Sequence, residues 1–275
     1  MTNKFLIVDR IVQVDDWVPS ALFDDFAYDS ENTSAPDSRN QEPICSVSLL
    51  KSEAVHGVER LSPAFSVSHV LTLERDHAAI LLADDEFRRA CMRPQREGSV
   101  MDLLLLAVYS RLTYYKTVLV HGALIDVPGY GGILFTGRSG VGKTTQAELW
   151  NQYAGADIIN GDRVFLAVRE GDEDAVYAYG SPWCGSSPYC VNRRIPLRAV
   201  IDLNREEKKY ISPLGDFEAL AASMPSVIMP VWDVRLTEMV MDTLDAALPR
   251  VPFYHMSCTK DASAVEMAAR ALGLN

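Results

Sequence analysis

Basic residues are scarce for a chain of 275 residues: 26 lysines and arginines stand against 37 acids, a net charge of −11. No basic stripe appears, which excludes a nucleic-acid-coating surface and argues against docking on anionic membranes. Cysteines are few as well. Cys45, Cys91, Cys184, Cys190 and Cys258 are odd in number and scattered, with no C-x-x-C pair; this excludes a disulfide framework and suits reduced thiols in a cytoplasmic protein. Cys184 and Cys190 with His255 fit no standard zinc spacing. No apolar run reaches membrane-spanning length, and the greasiest, Leu103 to Val108, soon meets Arg111. Met1-Thr2-Asn3-Lys4 leads into a strand-like run without the apolar core and cleavage site of a signal peptide. Repeats and low-complexity tracts are missing too. Hydrophobic residues make up 48% of the chain, so global disorder is excluded and a large core is affordable.

What is present centres on Gly131-Gly-Ile-Leu-Phe-Thr-Gly-Arg-Ser-Gly-Val-Gly-Lys-Thr-Thr145. Gly137, Gly142, Lys143 and Thr144 fill the G-x-x-x-x-G-K-[ST] pattern of a phosphate-binding loop. Glycines allow a backbone nest whose N–H groups face phosphate oxygens, and the following helix adds its positive end. An apolar run (Ile133-Leu134-Phe135) enters the loop and a helix-like segment from Thr145 leaves it, the context the motif needs. ATP and Mg2+ are therefore the expected ligands. Gly137, Ser139, Gly140, Val141, Gly142, Lys143, Thr144 and Thr145 should cradle the phosphates, with the Thr144 hydroxyl toward the metal.

Along the chain, residues 4–14 read as one strand, 24–43 as a long polar surface loop, and Ile44–Leu50, Ala64–Leu73 and Ala78–Leu82 as further strands. Residues 1–98 thus form a β-rich portion, with His56, His69 and His77 as ordinary polar residues. Ser99 is the expected N-cap of an amphipathic helix through about Tyr115, whose Tyr114 and Tyr115 suit core packing better than adenine stacking. Residues 99–275 are expected to form the nucleotide-binding domain, and the two portions one compact unit. Thr117 to Ile125 reads as a buried strand interrupted at His121-Gly122, one hairpin before the loop, which could bring the imidazole near a triphosphate. Asp162 ends a short apolar run after the loop's helix, where a second metal-organising acid belongs; Asn160-Gly161-Asp162 would equally make a hairpin turn. Strands near Ala175–Tyr179, Arg198–Leu203, Tyr210–Ser212 and Pro252–Met256 alternate with helices near Asp216–Ala222, Leu236–Leu248 and Ala262–Leu272. The fold class is α/β, a mixed sheet flanked by helices, because hairpin connections intrude between the strands.

His121-Gly-Ala-Leu-Ile-Asp126, the glycine loop, and Ile158-Ile-Asn-Gly-Asp-Arg-Val164 together resemble the HPr kinase/phosphorylase family, within the superfamily that includes ATP-dependent phosphoenolpyruvate carboxykinase. Gly180-Ser-Pro-Trp-Cys-Gly185 and Asn192-Arg-Arg-Ile-Pro-Leu-Arg198 resemble a divergent branch of small kinases beside peptide-modifying biosynthetic systems. The resemblance implies that His121 is an active-site histidine, that Lys143 binds the β/γ-phosphates, and that Thr144 and Asp162 hold magnesium. Asp162 matches the second acid of the family's Asp-Asp pair, and Gly161 stands where the first, the catalytic base, would be. Either Asp162 serves both roles, or His121 takes over proton handling, or catalysis is lost. The family's later magnesium-ligating glutamate has no clear counterpart here.

The function expected is a Mg-ATP-dependent kinase acting on a serine or threonine hydroxyl of a peptide or small protein, such as a biosynthetic precursor peptide. A small-molecule kinase of the same fold and a nucleotide-binding regulatory protein without catalysis are the alternatives, and a homo-oligomer is left open. Arg138, Arg193 and Arg194 are the arginines that could add charge in the transition state. Trp183 stands evenly between lining the acceptor pocket and plugging the core.

Overall fold

The computed structural model describes residues 2–16, 21–28, 42–50, 52–55, 58–61, 63–73, 75–169, 171 and 175–274. The chain divides into two units, Met1–Tyr115 and Lys116–Asn275.

In the first unit, β1 (Thr2–Ile7), β2 (Arg10–Asp15), β3 (Cys45–Leu49), β6 (His69–Leu73), β7 (Asp76–Ala83) and β8 (Arg89–Arg93) form a six-stranded sheet in the order β1-β2-β3-β8-β7-β6. β4 (Ser52–Val55) and β5 (Val58–Leu61) pair by themselves as a hairpin. The single strand expected over residues 4–14 is instead the hairpin β1–β2, turned at Val8 and Asp9 with φ of 53° and 57°. Two left-handed residues make the turn that matches strand twist, but neither is the glycine or asparagine that would announce it. A 3-10 turn at Ala21–Phe26 opens the expected polar loop and buries Phe23 and Phe26; residues 29–41 of that loop lie outside the described residues, as does His56.

α1 (Glu97–Thr113) packs on β3, β6, β7 and β8. Ser99 is not its N-cap. Arg96 holds that position, and the Ser99 hydroxyl donates to Asp76, which keeps that carboxylate below its usual pKa range. Arg111, which breaks the apolar run, is buried because its guanidinium reaches the Ile44 carbonyl at 3.0 Å and the Tyr115 hydroxyl at 3.1 Å. Tyr115 is held between Arg111 and Arg10, 5.2 and 4.6 Å from its ring centre.

In the second unit the mixed sheet is present. Its strands are β9 (Thr117–His121), β10 (Ala123–Val127), β11 (Gly131–Gly137), β12 (Asp157–Asn160), β13 (Arg163–Val168), β14 (Val176–Tyr179), β15 (Arg194–Asn204), β16 (Tyr210–Pro213) and β17 (Phe253–Ser257). The main order is β12-β10-β11-β15-β14-β13-β9, with β17 on β15 and β16 on β17. β10–β11 is an antiparallel hairpin, while β11–β15 and β15–β17 are parallel. The helices are α2 (Lys143–Ala154), α3 (Asp216–Ser223), α4 (Val234–Ala247) and α5 (Ala262–Ala271).

Alternation sorts the two faces of this sheet. Ile133 and Phe135 of β11 point to a core with Ile201, Met256, Trp150 of α2 and Val265 of α5. Leu134 points the other way, toward Val118, Val200 and Leu244 of α4.

Two strand breaks shape the site. The run from Thr117 to Ile125 is two strands separated at Gly122, where a Cβ would press within 2.7 Å of Leu134 Cδ1 and 2.8 Å of the Phe135 carbonyl oxygen. Opposite it, Asn160-Gly161-Asp162 is not a hairpin turn. β12 runs antiparallel to β10, and β13 runs antiparallel to β9, so the two broken strands form one long ribbon kinked at the same level. The Gly122 N–H bridges the kink to the Asp162 carbonyl at 2.9 Å. The register shift of the β10–β12 ladder lies one step further on, between Leu124 and Ile125, where Ile159 of β12 is the extra residue.

Candidate active site

The glycine loop connects β11 to α2, and its conformation depends on its glycines. Gly137, Gly140 and Gly142 have φ of 121°, 74° and 118°, values that side chains with a Cβ rarely adopt. The N–H groups of Ser139, Gly140, Gly142, Lys143, Thr144 and Thr145 have no acceptor among the described residues. Together with the α2 dipole they form an anion seat. The loop is held from below by Ser226, whose hydroxyl accepts from Gly137 N–H at 3.3 Å, and at its rim by Arg205, which donates to the Gly140 carbonyl at 2.6 Å.

Lys143 folds back over the loop, donating to the Gly137 carbonyl at 3.0 Å and the Arg138 carbonyl at 3.4 Å. Burial pulls its ammonium pKa below the ordinary range, against the opposing charges of Asp162 and Asp202. A cleft of about 470 Å3 opens on this side of the loop, lined by His121, Lys143, Thr144, Asp162, Ser187 and Lys260 among others. His121 Nε2 lies 3.5 Å from Asp162 Oδ1, and Arg163 Nε lies 3.7 Å from Asp162 Oδ2. Burial, then Lys143, hold the imidazole pKa below its ordinary 6.5, so the ring is neutral near pH 7 and able to accept a proton.

Asn160, fully buried, is the node that positions this group. Its Oδ1 accepts from the N–H groups of Asp162 and Arg163 at 2.9 Å each, and its Nδ2 donates to the Ser181 carbonyl at 2.9 Å. The loop after β14 is thereby tied to the kink, and it closes over Asp162. A Cβ on Gly185, whose φ is +61°, would come within 2.6 Å of Asp162 Oδ2.

Gly161 has a packing reason. A Cβ there would sit on the Ser187 hydroxyl and 2.6 Å from Ser187 Cβ. Gly161→Asp is therefore expected to lower stability by about 1–3 kcal/mol. The urea midpoint reads the loss, and adding Ser187→Gly to the same chain should recover most of it.

Other sequence candidates are placed elsewhere. Trp183 is buried, 6.1 Å edge-on from Phe165, and plugs the core rather than the cleft. Arg193 is engaged with Asp157 at 2.7 Å and Asp126 at 3.4 Å, and Arg194 stacks on Tyr177 at 4.9 Å. Arg138 stays in the loop, exposed and on the side away from His121. Among the described residues no group of three His, Cys, Asp or Glu side chains could hold a metal, which removes the Cys184–Cys190–His255 idea.

Sequence reasoning missed a second histidine–carboxylate pair on the other side of the loop. Asp202 on β15 accepts from His255 Nδ1 at 2.9 Å and from the Thr136 hydroxyl at 3.4 Å, in a cleft of about 550 Å3 shared with Gly137–Val141. Burial raises the Asp202 pKa, and His255, Thr136 and Lys143 pull it back. Lys143 thus lies within the fields of two such pairs. Lys260, exposed at the entrance to α5, was missed as well. Gln146 anchors its loop through Cys258 Sγ at 3.0 Å and the Thr259 carbonyl at 3.2 Å. An acid set inside the apolar run Arg198–Leu203 was the available signal for Asp202.

No family model matches the chain. Over 187 residues it is 29% identical to an HPr kinase/phosphorylase of Geobacillus thermodenitrificans (strain NG80-2), covering 60% of this chain and 55% of that protein. An HPr kinase/phosphorylase of Bacillus mycoides (strain KBAB4) is 26% identical over 185 residues, with the same coverage. The chain therefore spans about half the length of the curated relatives it matches. The solved HPr(Ser) kinase/phosphatase from Coxiella burnetii aligns at 10% identity over 56% of this chain and 94% of that one, with a TM-score of 0.33, too loose a likeness to carry an argument. No helix among the described residues is long and apolar enough to cross a membrane. In sequence, then, the chain is similar to HPr kinase/phosphorylases over about 60% of its length.

Proposed function

We propose that the chain is an ATP- and Mg-dependent phosphotransferase that moves the γ-phosphoryl group to a serine or threonine hydroxyl of a peptide or small protein in the cytoplasm. One observation carries this reading: six unpaired loop N–H groups and Lys143 face the same cleft as the His121–Asp162 pair. A triphosphate fits the first set, and a proton acceptor beside its outer phosphate fits the second.

Phosphoryl transfer asks the protein mainly to hold charge and aim groups. The loop amides and Lys143 would bind the β- and γ-phosphate oxygens. The Thr144 hydroxyl and the Asp162 carboxylate are hard oxygen donors in one cleft, a set that suits magnesium. When bound, the ion neutralises charge on the phosphates. The acceptor hydroxyl loses its proton to Asp162, with neutral His121 beside it as relay. The new P–O bond forms as the bond to the β,γ-bridging oxygen breaks and ADP leaves.

Phosphorus NMR of the protein with magnesium ATP, alone and with short serine- and threonine-containing peptides encoded beside its gene, tests this. A phosphomonoester signal that requires a peptide supports the kinase. ATP bound but untouched in every mixture would move the reading to a nucleotide-binding regulator.

A further inference from the structure

Ser187 sits where the kinked ribbon leaves room for no side chain at position 161. Its hydroxyl lies over Gly161, in the cleft that also holds Lys143, Thr144 and Asp162. The geometry around it is built. Ser187 N–H donates to the Cys184 carbonyl at 3.0 Å, closing a tight turn, and Pro188 follows it. The ends of the loop are fastened by the Gly180 N–H on the Arg193 carbonyl at 3.1 Å and the Val191 N–H on the Ile159 carbonyl at 2.9 Å. Ser187 Oγ accepts from Tyr189 N–H at 3.3 Å, and its own proton has no acceptor among the described residues.

We propose that Ser187 is a phosphoryl acceptor within the chain, a cis autophosphorylation site. The inference rests on the kinase reading and deepens it. If the cleft holds a γ-phosphate beside Asp162, Ser187 presents to it a hydroxyl that belongs to the protein itself, and a tethered group reacts at a high effective concentration. Ser187 Oγ forms the bond to the γ-phosphorus as the bond from that phosphorus to the β,γ-bridging oxygen breaks. The hydroxyl proton passes to the Asp162 carboxylate, and ADP carries away the electron pair. The phosphoserine formed lies in the same cleft as Lys143 and Lys260 and takes the place of an incoming acceptor, so modification shuts the site. Ser186 lines the same cleft but is exposed, whereas Ser187 is half-buried against Gly161.

The full chain is incubated with magnesium ATP, and intact mass, fragment mapping and ADP release are followed in one sample. The expected result is one phosphoryl group per chain on Ser187, formed at a rate independent of protein concentration. It should be absent in Ser187→Ala, whose melting temperature confirms folding. ADP without phosphoprotein, or phosphate on Ser186 or elsewhere, overturns Ser187 and leaves the kinase reading standing. Phosphate on an added peptide with none on the chain does the same. ADP from neither mixture sinks both.

Discussion

Asp162→Asn is expected to lower magnesium-ATP turnover by about two to four orders of magnitude, the range associated with losing a positioned proton acceptor. The substitution keeps the shape of the side chain and removes its charge. Its backbone bonds remain, because the N–H still reaches Asn160 Oδ1 and the carbonyl still accepts from Gly122. The neighbours lose more. Asp162 is the carboxylate 3.5 Å from His121 and 3.7 Å from Arg163, and it opposes the burial that depresses the Lys143 ammonium. Steady-state ADP release with and without acceptor reads the loss, and nucleotide affinity in the absence of magnesium should change little. A drop in magnesium-free affinity matching the drop in turnover would place Asp162 in binding rather than proton transfer.

Lys143→Met is expected to abolish measurable turnover and to weaken ATP binding by about two orders of magnitude, while raising the melting temperature. The first effect follows from removing the buried side-chain cation folded over the loop, where a charge-assisted bond to phosphate is worth about 1.5–3 kcal/mol. The second follows from where that cation sits. Lys143 is nearly inaccessible, beside the positive end of α2, and satisfied by two carbonyls. A charge in that position is held at a cost, and an apolar chain of similar length escapes it. The gain should be on the order of 1 kcal/mol or a few degrees, typical of residues kept for activity at the expense of stability. Calorimetry of the free protein and titration with ATP measure the two effects separately.

Much of this architecture is legible in the residues. The glycine loop, its strand and its helix follow from local chemistry, and so do the strands and helices after Ala175, because apolar periodicity and caps such as Asp261 act within a few positions. The failures share a cause. Val8 and Asp9 turn left-handed without a glycine, so a hairpin passed for a strand. Asn160-Gly161-Asp162 carries hairpin chemistry, yet it serves a kink whose partner, Gly122, lies on a distant strand. Asp202 and His255 are joined by the parallel register of β15 and β17 across a long crossover, which no short-range pattern reports. Gly161 is an absence in the sequence and a steric necessity in three dimensions, since Ser187 comes from the loop between β14 and β15, far along the chain.

That loop divides its labour along its length. Trp183 and Cys184 are sunk in the interior and the flanking backbone is bonded to Ile159 of β12 and to Arg193, while Gly185 is exposed and Ser186 and Pro188 stand exposed over the cleft. Anchors of this kind separate what the fold needs from what a partner sees. Exchanges at Ser186 or Pro188 reshape the cleft's rim with little penalty to folding, whereas an exchange at Trp183 disturbs the interior before any partner arrives. Preference for one acceptor over another can therefore drift within a handful of surface positions while the scaffold beneath them stays fixed.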